Sequence, residues 1–197
     1  MKHFHFRIFR IENKCQTILF KMMHSIALHK VAPCEVVQLQ KIGKQTFRET
    51  FSDYNSDENI CQYLEVGFAL EKLTEELRNK DAEFYFATHE HEIIGYLKVN
   101  FGDAQTELKE NNALEIERIY VVNTFHGKGV GQLLYDKAIT IAKEKGVEYI
   151  WLGVWEENAR AIRFYTKNGF VPFDKHIFKL GNDEQTDIMM KLKCSDV

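Results

Sequence analysis

Residues 114–122 read as a strand that runs almost directly into His126-Gly127-Lys128-Gly129-Val130-Gly131, and this glycine cluster opens a stretch of helical periodicity. No other part of the chain restricts the fold so tightly. Val130, Leu133, Leu134, Ala138, Ile141 and Ala142 recur at three- and four-residue intervals, and Gly146 stands where a left-handed residue would end the helix. A strand, a glycine turn and a helix in succession is a device for anions. Glycine lets the backbone approach a ligand closely, and the first amides of the helix lack carbonyl partners and lie at its positive end. The spacing is GxGxG, whereas a dinucleotide fold needs GxGxxG and a P-loop needs GxxxxGK followed by Ser or Thr. No Ser or Thr follows Lys128 to hold magnesium. Taken alone, the cluster is equally compatible with a tight turn and nothing more.

The rest of the chain places this unit within a layered fold. An apolar strand at 26–28 precedes a helical pattern of Val36, Val37, Leu39, Ile42 and Phe47, a loop at 52–56, and a helix that Ser56 can cap, with Ile60, Tyr63 and Leu64 inward. Leu70, Leu73 and Leu77 continue the helical spacing. Residues 84–88 and 93–100 read as strands around a polar turn at 89–92, and 102–112 as a polar loop. Residues 149–155 are almost continuously apolar, as in a strand buried on both faces. A short helix at 159–167, stopped by Asn168-Gly169, and strands at 170–173 and 188–192 complete the pattern. The alternation predicts an α/β (α+β) fold, a mixed sheet with helices packed on it. Residues 25–197 are expected to form a single domain. The first 24 residues, where Phe4, Phe6 and Ile8 alternate with His5 and Arg7, read as an extension outside it: a dispensable tail, or the product of a start codon upstream of Met22 or Met23.

Composition narrows the function. With 45% hydrophobic and 13% aromatic residues, 197 residues can bury one good core. Residues 1–21 carry five Lys/Arg against one acid, so the remaining chain holds 21 basic and 28 acidic side chains, a balance of −7. An acidic body argues against a nucleic-acid target and suits a cationic substrate. Cys15, Cys34, Cys61 and Cys194 lack CxxC spacing, which fits a reducing cytoplasm without disulfides or structural zinc. His89 and His91 fall in the expected turn without partner ligands, so no metal is expected. No apolar run approaches the roughly 20 residues needed to cross a bilayer, so no membrane association is expected either.

A second motif lies downstream, in Asn158-Ala159-Arg160-Ala161-Ile162-Arg163-Phe164-Tyr165-Thr166-Lys167-Asn168-Gly169-Phe170. On a helix Asn158, Ala161, Ile162 and Tyr165 share one face. With Gly129 and Gly131 upstream, this pattern resembles the GNAT superfamily of N-acetyltransferases, although His126 stands where Gln or Arg is usual. The segments 115–120, 150–156 and 183–187, and Glu49-Thr50-Phe51, are similar to those of bacterial Pai-type spermidine/spermine N-acetyltransferases. The resemblance spans roughly 25–192 and implies a mostly antiparallel, twisted central sheet flanked by helices. It also implies acetyl-CoA as cosubstrate and direct transfer to a small primary amine, with a polyamine foremost.

Site roles follow from the resemblance. Backbone groups of Ile119, Tyr120 and Val121 would pair with the pantetheine arm, and His126, Gly127, Lys128, Gly129, Val130 and Gly131 would receive the pyrophosphate, with Asn158 and Tyr165 alongside. Tyr165 would protonate the departing thiolate. Alternatively, Tyr165 is a core aromatic and Asn158 only a helix cap. An alkylamine is protonated at neutral pH, so a base is needed. Strand alternation puts Glu115, Glu117, Ile119 and Val121 on one side unless a bulge intervenes, which makes Glu117 the favoured base and Glu115 its competitor. Both could instead be solvated residues or substrate anchors. Phe51, Tyr54, Trp155 and Glu156 are candidates for holding a polycationic acceptor, or part of the core. A protein or peptide acetyltransferase and a non-catalytic acetyl-CoA-binding regulatory module remain alternatives, and a homodimer is a possible assembly.

Overall fold

The computed structural model describes residues 25–180 and 183–196; the alternating pattern at 1–24 and Cys15 lie outside the described residues. Among the described residues seven strands form one sheet: β1 (Ile26–Lys30), β2 (Ala82–His89), β3 (Glu92–Phe101), β4 (Ala113–Val121), β5 (Tyr149–Trp155), β6 (Val171–Leu180) and β7 (Asp183–Lys193), in the spatial order β1-β2-β3-β4-β5-β7-β6. Every neighbouring pair is antiparallel except β4 and β5. The helices are α1 (Val36–Phe51), α2 (Asp57–Gly67), α3 (Leu70–Arg78), α4 (Val130–Lys145) and α5 (Ala159–Lys167). The parallel pair needs a crossover, and α4 supplies it.

Both faces of the sheet are covered. Lys98, on the face that carries Phe84, reaches Glu76 of α3 at 3.0 Å. On the opposite face Lys137 and Lys145 of α4 lie over the rings of Tyr85 and Phe101, each 4.8 Å from the centroid. Two-sided cover explains why β3 is buried almost throughout and reads as an apolar run. Leu39 and Ile42 of α1 and Leu73 of α3 are almost fully enclosed, and each contributes on the order of 2 kcal/mol of burial. Ser56 caps α2 by accepting from the Asn59 amide, and Gly146 ends α4 at a φ of 67°.

Two expectations change and a third is refined. The β2–β3 turn tightens to Glu90-His91, both at positive φ, 49° and 72°, as a two-residue hairpin of this hand requires. Segment 102–112 is a mostly exposed loop, as expected, but it is pinned to the sheet at one buried residue: the indole N–H of Trp151 donates to Gln105 Oε1 at 2.6 Å. The strands expected at 170–173 and 188–192 extend into the long hairpin β6–β7.

The feature that creates a site is the parting of β4 from β5. They pair only at Ala113↔Tyr149, Leu114↔Ile150 and Glu115↔Trp151. On its other side β4 carries a bulge: Lys98 faces Arg118 and Val99 faces Ile116, so Glu117 is the extra residue. A bulge bends and twists its strand, and here it turns β4 away from β5. It also corrects the alternation inferred above. Arg118 and Tyr120 take the face of Lys98 and Tyr96, whereas Ile119 and Val121 point to the other face, away from Glu115.

Candidate active site

Beyond β4 the chain makes a short turn, passes Gly127 (φ 73°) and Gly129 (φ 84°), and enters α4 with Gly129 as its N-cap. Both angles lie in the region that side chains disfavour, which accounts for glycine at these two positions. The bond from Leu133 N to Gly129 O at 3.1 Å opens the helical ladder, so the amides of Val130, Gly131 and Gln132 precede it and face outward from the helix start. Val130 buries its side chain, and Lys128 lays its ammonium over the Phe125 ring, 4.7 Å from the centroid. Val130 therefore offers the site its backbone rather than its side chain, while the Lys128 amide is already given to Phe125 O at 3.4 Å.

His126 stitches this loop together. Its Nε2 lies 2.7 Å from Val121 O, and its Nδ1 meets a guanidinium nitrogen of Arg160 on α5. A carbonyl can only accept and an arginine can only donate, which assigns the proton to Nε2 and leaves the ring neutral. Burial and then the Arg160 charge lower its pKa, in keeping with that state. The side chain at this position thus supports the loop.

Two cavities meet where β4 and β5 part. A larger one of about 480 Å³ runs from Gly127, Gly129 and Gly131 past Ile119 and Val121 to Asn158 and Tyr165. A smaller one of about 160 Å³ lies between Phe51, Tyr63, Glu117, Trp155 and Asp187 and ends on the same Asn158 and Tyr165. A 680 Å³ depression at the far end of β5, lined by Leu108, Tyr149, Phe173 and Lys193, has no comparable amide cradle. Asn158 Oδ1 accepts from the Ala161 amide at 3.1 Å, so this residue caps α5 and also lines both cavities. Tyr165 is 8% exposed and packs against Phe164 and Phe170, and burial raises its pKa, so the phenol keeps its proton and can serve as a donor.

The two glutamates of β4 have different surroundings. Glu115 is 3% exposed; it accepts from the Thr106 amide and hydroxyl and from Asn100, and so fastens segment 102–112 to the sheet. Burial, then Glu117, raises its pKa. It does not border the smaller cavity. Glu117 does, but its carboxylate is held by Lys98 at 2.6 Å, Asn100 at 2.6 Å and Arg118 at 3.1 Å. Although burial opposes ionisation, Arg118 and Lys98 outweigh it and bring the pKa to about 2. A carboxylate held so firmly ionised is a fixed negative charge and a weak proton acceptor.

On the acceptor side, Phe51 and Tyr54 contact Trp155 with centroids 5.7 and 5.1 Å apart, forming an aromatic rim. Glu156 lies outside the cavity lining and pairs with Lys175 at 3.3 Å. Gln185 of β7 donates to Asn55 Oδ1 at 2.7 Å and ties the loop after α1 to the sheet. The sequence reading missed Arg118, Arg160 and Asp187. Only the bulge brings Arg118 to the cavity face, and Asp187 is reached through a long hairpin whose weak apolar signal concealed its register.

Comparison with known proteins follows the same lines. The model of the acetyltransferase (GNAT) family matches residues 37–170. An uncharacterized N-acetyltransferase of Lactobacillus delbrueckii subsp. lactis is 38% identical over 173 residues, which cover 86% of this chain and 98% of the relative. The spermidine N(1)-acetyltransferase of Thermoplasma acidophilum is 25% identical, again over 86% of this chain and 98% of the relative. Among solved structures, the PaiA N-acetyltransferase of Thermoplasma acidophilum in complex with coenzyme A superposes with a TM-score of 0.72 at 25% identity, over 86% of this chain and 99% of that one.

Proposed function

The chain belongs to the acetyltransferase (GNAT) family, and from that premise we propose that it transfers the acetyl group of acetyl-CoA directly to a primary amine of a small polycation, a polyamine foremost. The observation that carries this reading is the meeting of two cavities at Tyr165, one leading back to the glycine cradle and the other walled by aromatics and carboxylates.

A thioester is already activated, so the protein has to supply position and a place for charge. The amides of Gly127, Gly129, Val130 and Gly131 would hold the pyrophosphate, and backbone groups of Ile119, Tyr120 and Val121, freed by the parting of the strands, would receive the pantetheine arm as an added strand. One amide there can polarise the thioester carbonyl. The ammonium first loses its proton to water; the neutral amine then attacks the carbonyl carbon, the C–S bond breaks, Tyr165 gives its proton to the departing sulfur, and the proton shed by the acylated nitrogen returns through water to the phenolate. Glu117, fixed in its ion pairs, holds the Arg118 guanidinium at the wall of the acceptor cavity. The coenzyme A-bound PaiA structure and the spermidine N(1)-acetyltransferase, each 25% identical, support the cosubstrate and the acceptor class.

A cavity of about 160 Å³ favours a thin acceptor arm over a folded peptide segment. Assaying spermidine, spermine and a lysine peptide side by side for free CoA tests this directly. Turnover with polyamines in preference to the peptide is expected. Preference for the peptide would move the acceptor class to proteins, and CoA binding without release from any amine would leave a regulatory module. Among the described residues no helix is long and apolar enough to cross a membrane.

A further inference from the structure

Two carboxylates line the smaller cavity, Glu117 and Asp187, and Glu156 and Glu184 lie next to lining positions in the chain; all but one already have a cation. Glu117 is taken by Lys98 and Arg118, Glu156 by Lys175, and Glu184 by Lys179 at 2.9 Å. Asp187 differs: it lines the cavity, yet among the described residues no lysine or arginine pairs with its carboxylate and no hydrogen bond to that carboxylate is formed. In register it lies between Trp155 of β5 and His176 of β6. Burial raises its pKa, and Glu156 adds to this while His176 opposes it. A half-enclosed anion without a partner is unfavourable until something positive arrives.

The backbone keeps this anion open to the cavity. Gly153, two residues before Trp155 and on its face, is exposed although both its neighbours are buried. A Cβ there would lie 3.4 Å from Asp187 Oδ2 and 3.5 Å from His176 Cε1, so any longer side chain would stand over the carboxylate. Around it the rings of Phe51, Tyr63, Trp155 and Phe178 present aromatic surface, the usual wall of a cation site. At roughly 30 Å³ for each water-sized group, the space of about 160 Å³ takes a short aminoalkyl arm.

Taking the site to be the acetyl-transfer site proposed above, we infer that Asp187 anchors a second, non-reacting ammonium of the acceptor, so that the enzyme selects amines with two positive charges over amines with one. The nitrogen that is acetylated must give up a proton, and a bare carboxylate against it would hold that proton in place. Such a carboxylate is useful on a nitrogen that stays charged, held a few carbons away from the one that reacts.

The test compares wild type with Asp187→Asn on spermidine, 1,3-diaminopropane and butylamine, together with calorimetry of spermidine on the CoA-loaded protein and of CoA alone. The variant should lose about 10- to 100-fold in kcat/KM for the two polyamines, as expected for one charge-assisted contact. Butylamine turnover and CoA affinity should hold and thermal stability should not fall, since the carboxylate has no salt bridge or hydrogen bond within the protein to lose. Spermidine binding should weaken by the same factor, a readout that stands even if no amine is turned over; that result would overturn the acetyl-transfer reading and leave the anchor intact. Equal losses for butylamine and the polyamines, or unchanged spermidine binding in the variant, would overturn the anchor itself.

Discussion

Glu117→Gln separates a structural charge from a catalytic one. The buried group at this end of β4 comprises Lys98, 5% exposed, and Arg118, 8% exposed, set against Glu117 and Glu76. Two positive charges balance two negative ones, and the substitution leaves the set with one uncompensated positive charge. The Glu117 carboxyl titrates at about 2 instead of near 4.5; at about 1.36 kcal/mol per pH unit of separation, its ionised form contributes on the order of 3 kcal/mol. Because the folded value is the lower one, that contribution is complete above the unfolded value and is lost as pH falls from there toward 2. At pH 7 the variant should therefore melt about 6–12 °C below wild type, at about 2–4 °C per kcal/mol for a domain of this size. The gap should narrow as the pH drops below 4.5. Adding Lys98→Met restores neutrality and should recover much of the loss, since a buried ion pair is replaced by an apolar side chain. Differential scanning calorimetry across this pH range reads both effects. A Glu117→Gln protein as stable as wild type at pH 7, yet slower by two orders of magnitude, would refute the reasoning: Glu117 would then be free to take a proton, and its ion pairs would carry no weight.

Tyr165→Phe should lower kcat by about 10²- to 10³-fold, the usual size of a positioned proton donor, while the KM for acetyl-CoA moves little; unchanged turnover would remove the phenol from the chemistry. Gly127→Ala meets no atom within 4 Å but must hold a φ of 73°, so it should weaken CoA binding by roughly tenfold through about 1–2 kcal/mol of backbone strain, measurable by calorimetry with little change in kcat. Gly43→Ala would drive a methyl group into the Phe68 ring that carries the Arg118 guanidinium at 4.8 Å; a loss of about 1–3 kcal/mol in urea denaturation is expected from overpacking.

The parts of this protein that the sequence makes legible are those where one signal has one structural meaning. A strand followed by GxGxG and a helical stripe leaves little freedom, and Gly127, Gly129 and Tyr165 lie on the cavity that this pattern implies. The bulge at Glu117 leaves no such mark. It depends on how β4 meets β3, and a single inserted residue reverses the face taken by everything after it. Segment 102–112 is polar and largely exposed, as its sequence suggests, but nothing in that polarity marks Gln105 and Thr106 as the residues that tie it to Trp151 and Glu115. β6 sits at the sheet edge with Ile177 62% exposed and its neighbours mixed in character, so apolar periodicity under-reports its length. Asp187 was hidden with it.

The parting of β4 and β5 has a kinetic consequence. Since the two cavities approach Tyr165 from different sides of the opening, neither ligand has to wait for the other to vacate a shared mouth. Initial-rate lines at several amine concentrations should intersect rather than run parallel. A molecule joining the amine nitrogen to the coenzyme sulfur through an acetyl bridge would thread the sheet like a cord through a buttonhole, and its grip should approach the product of the two separate affinities.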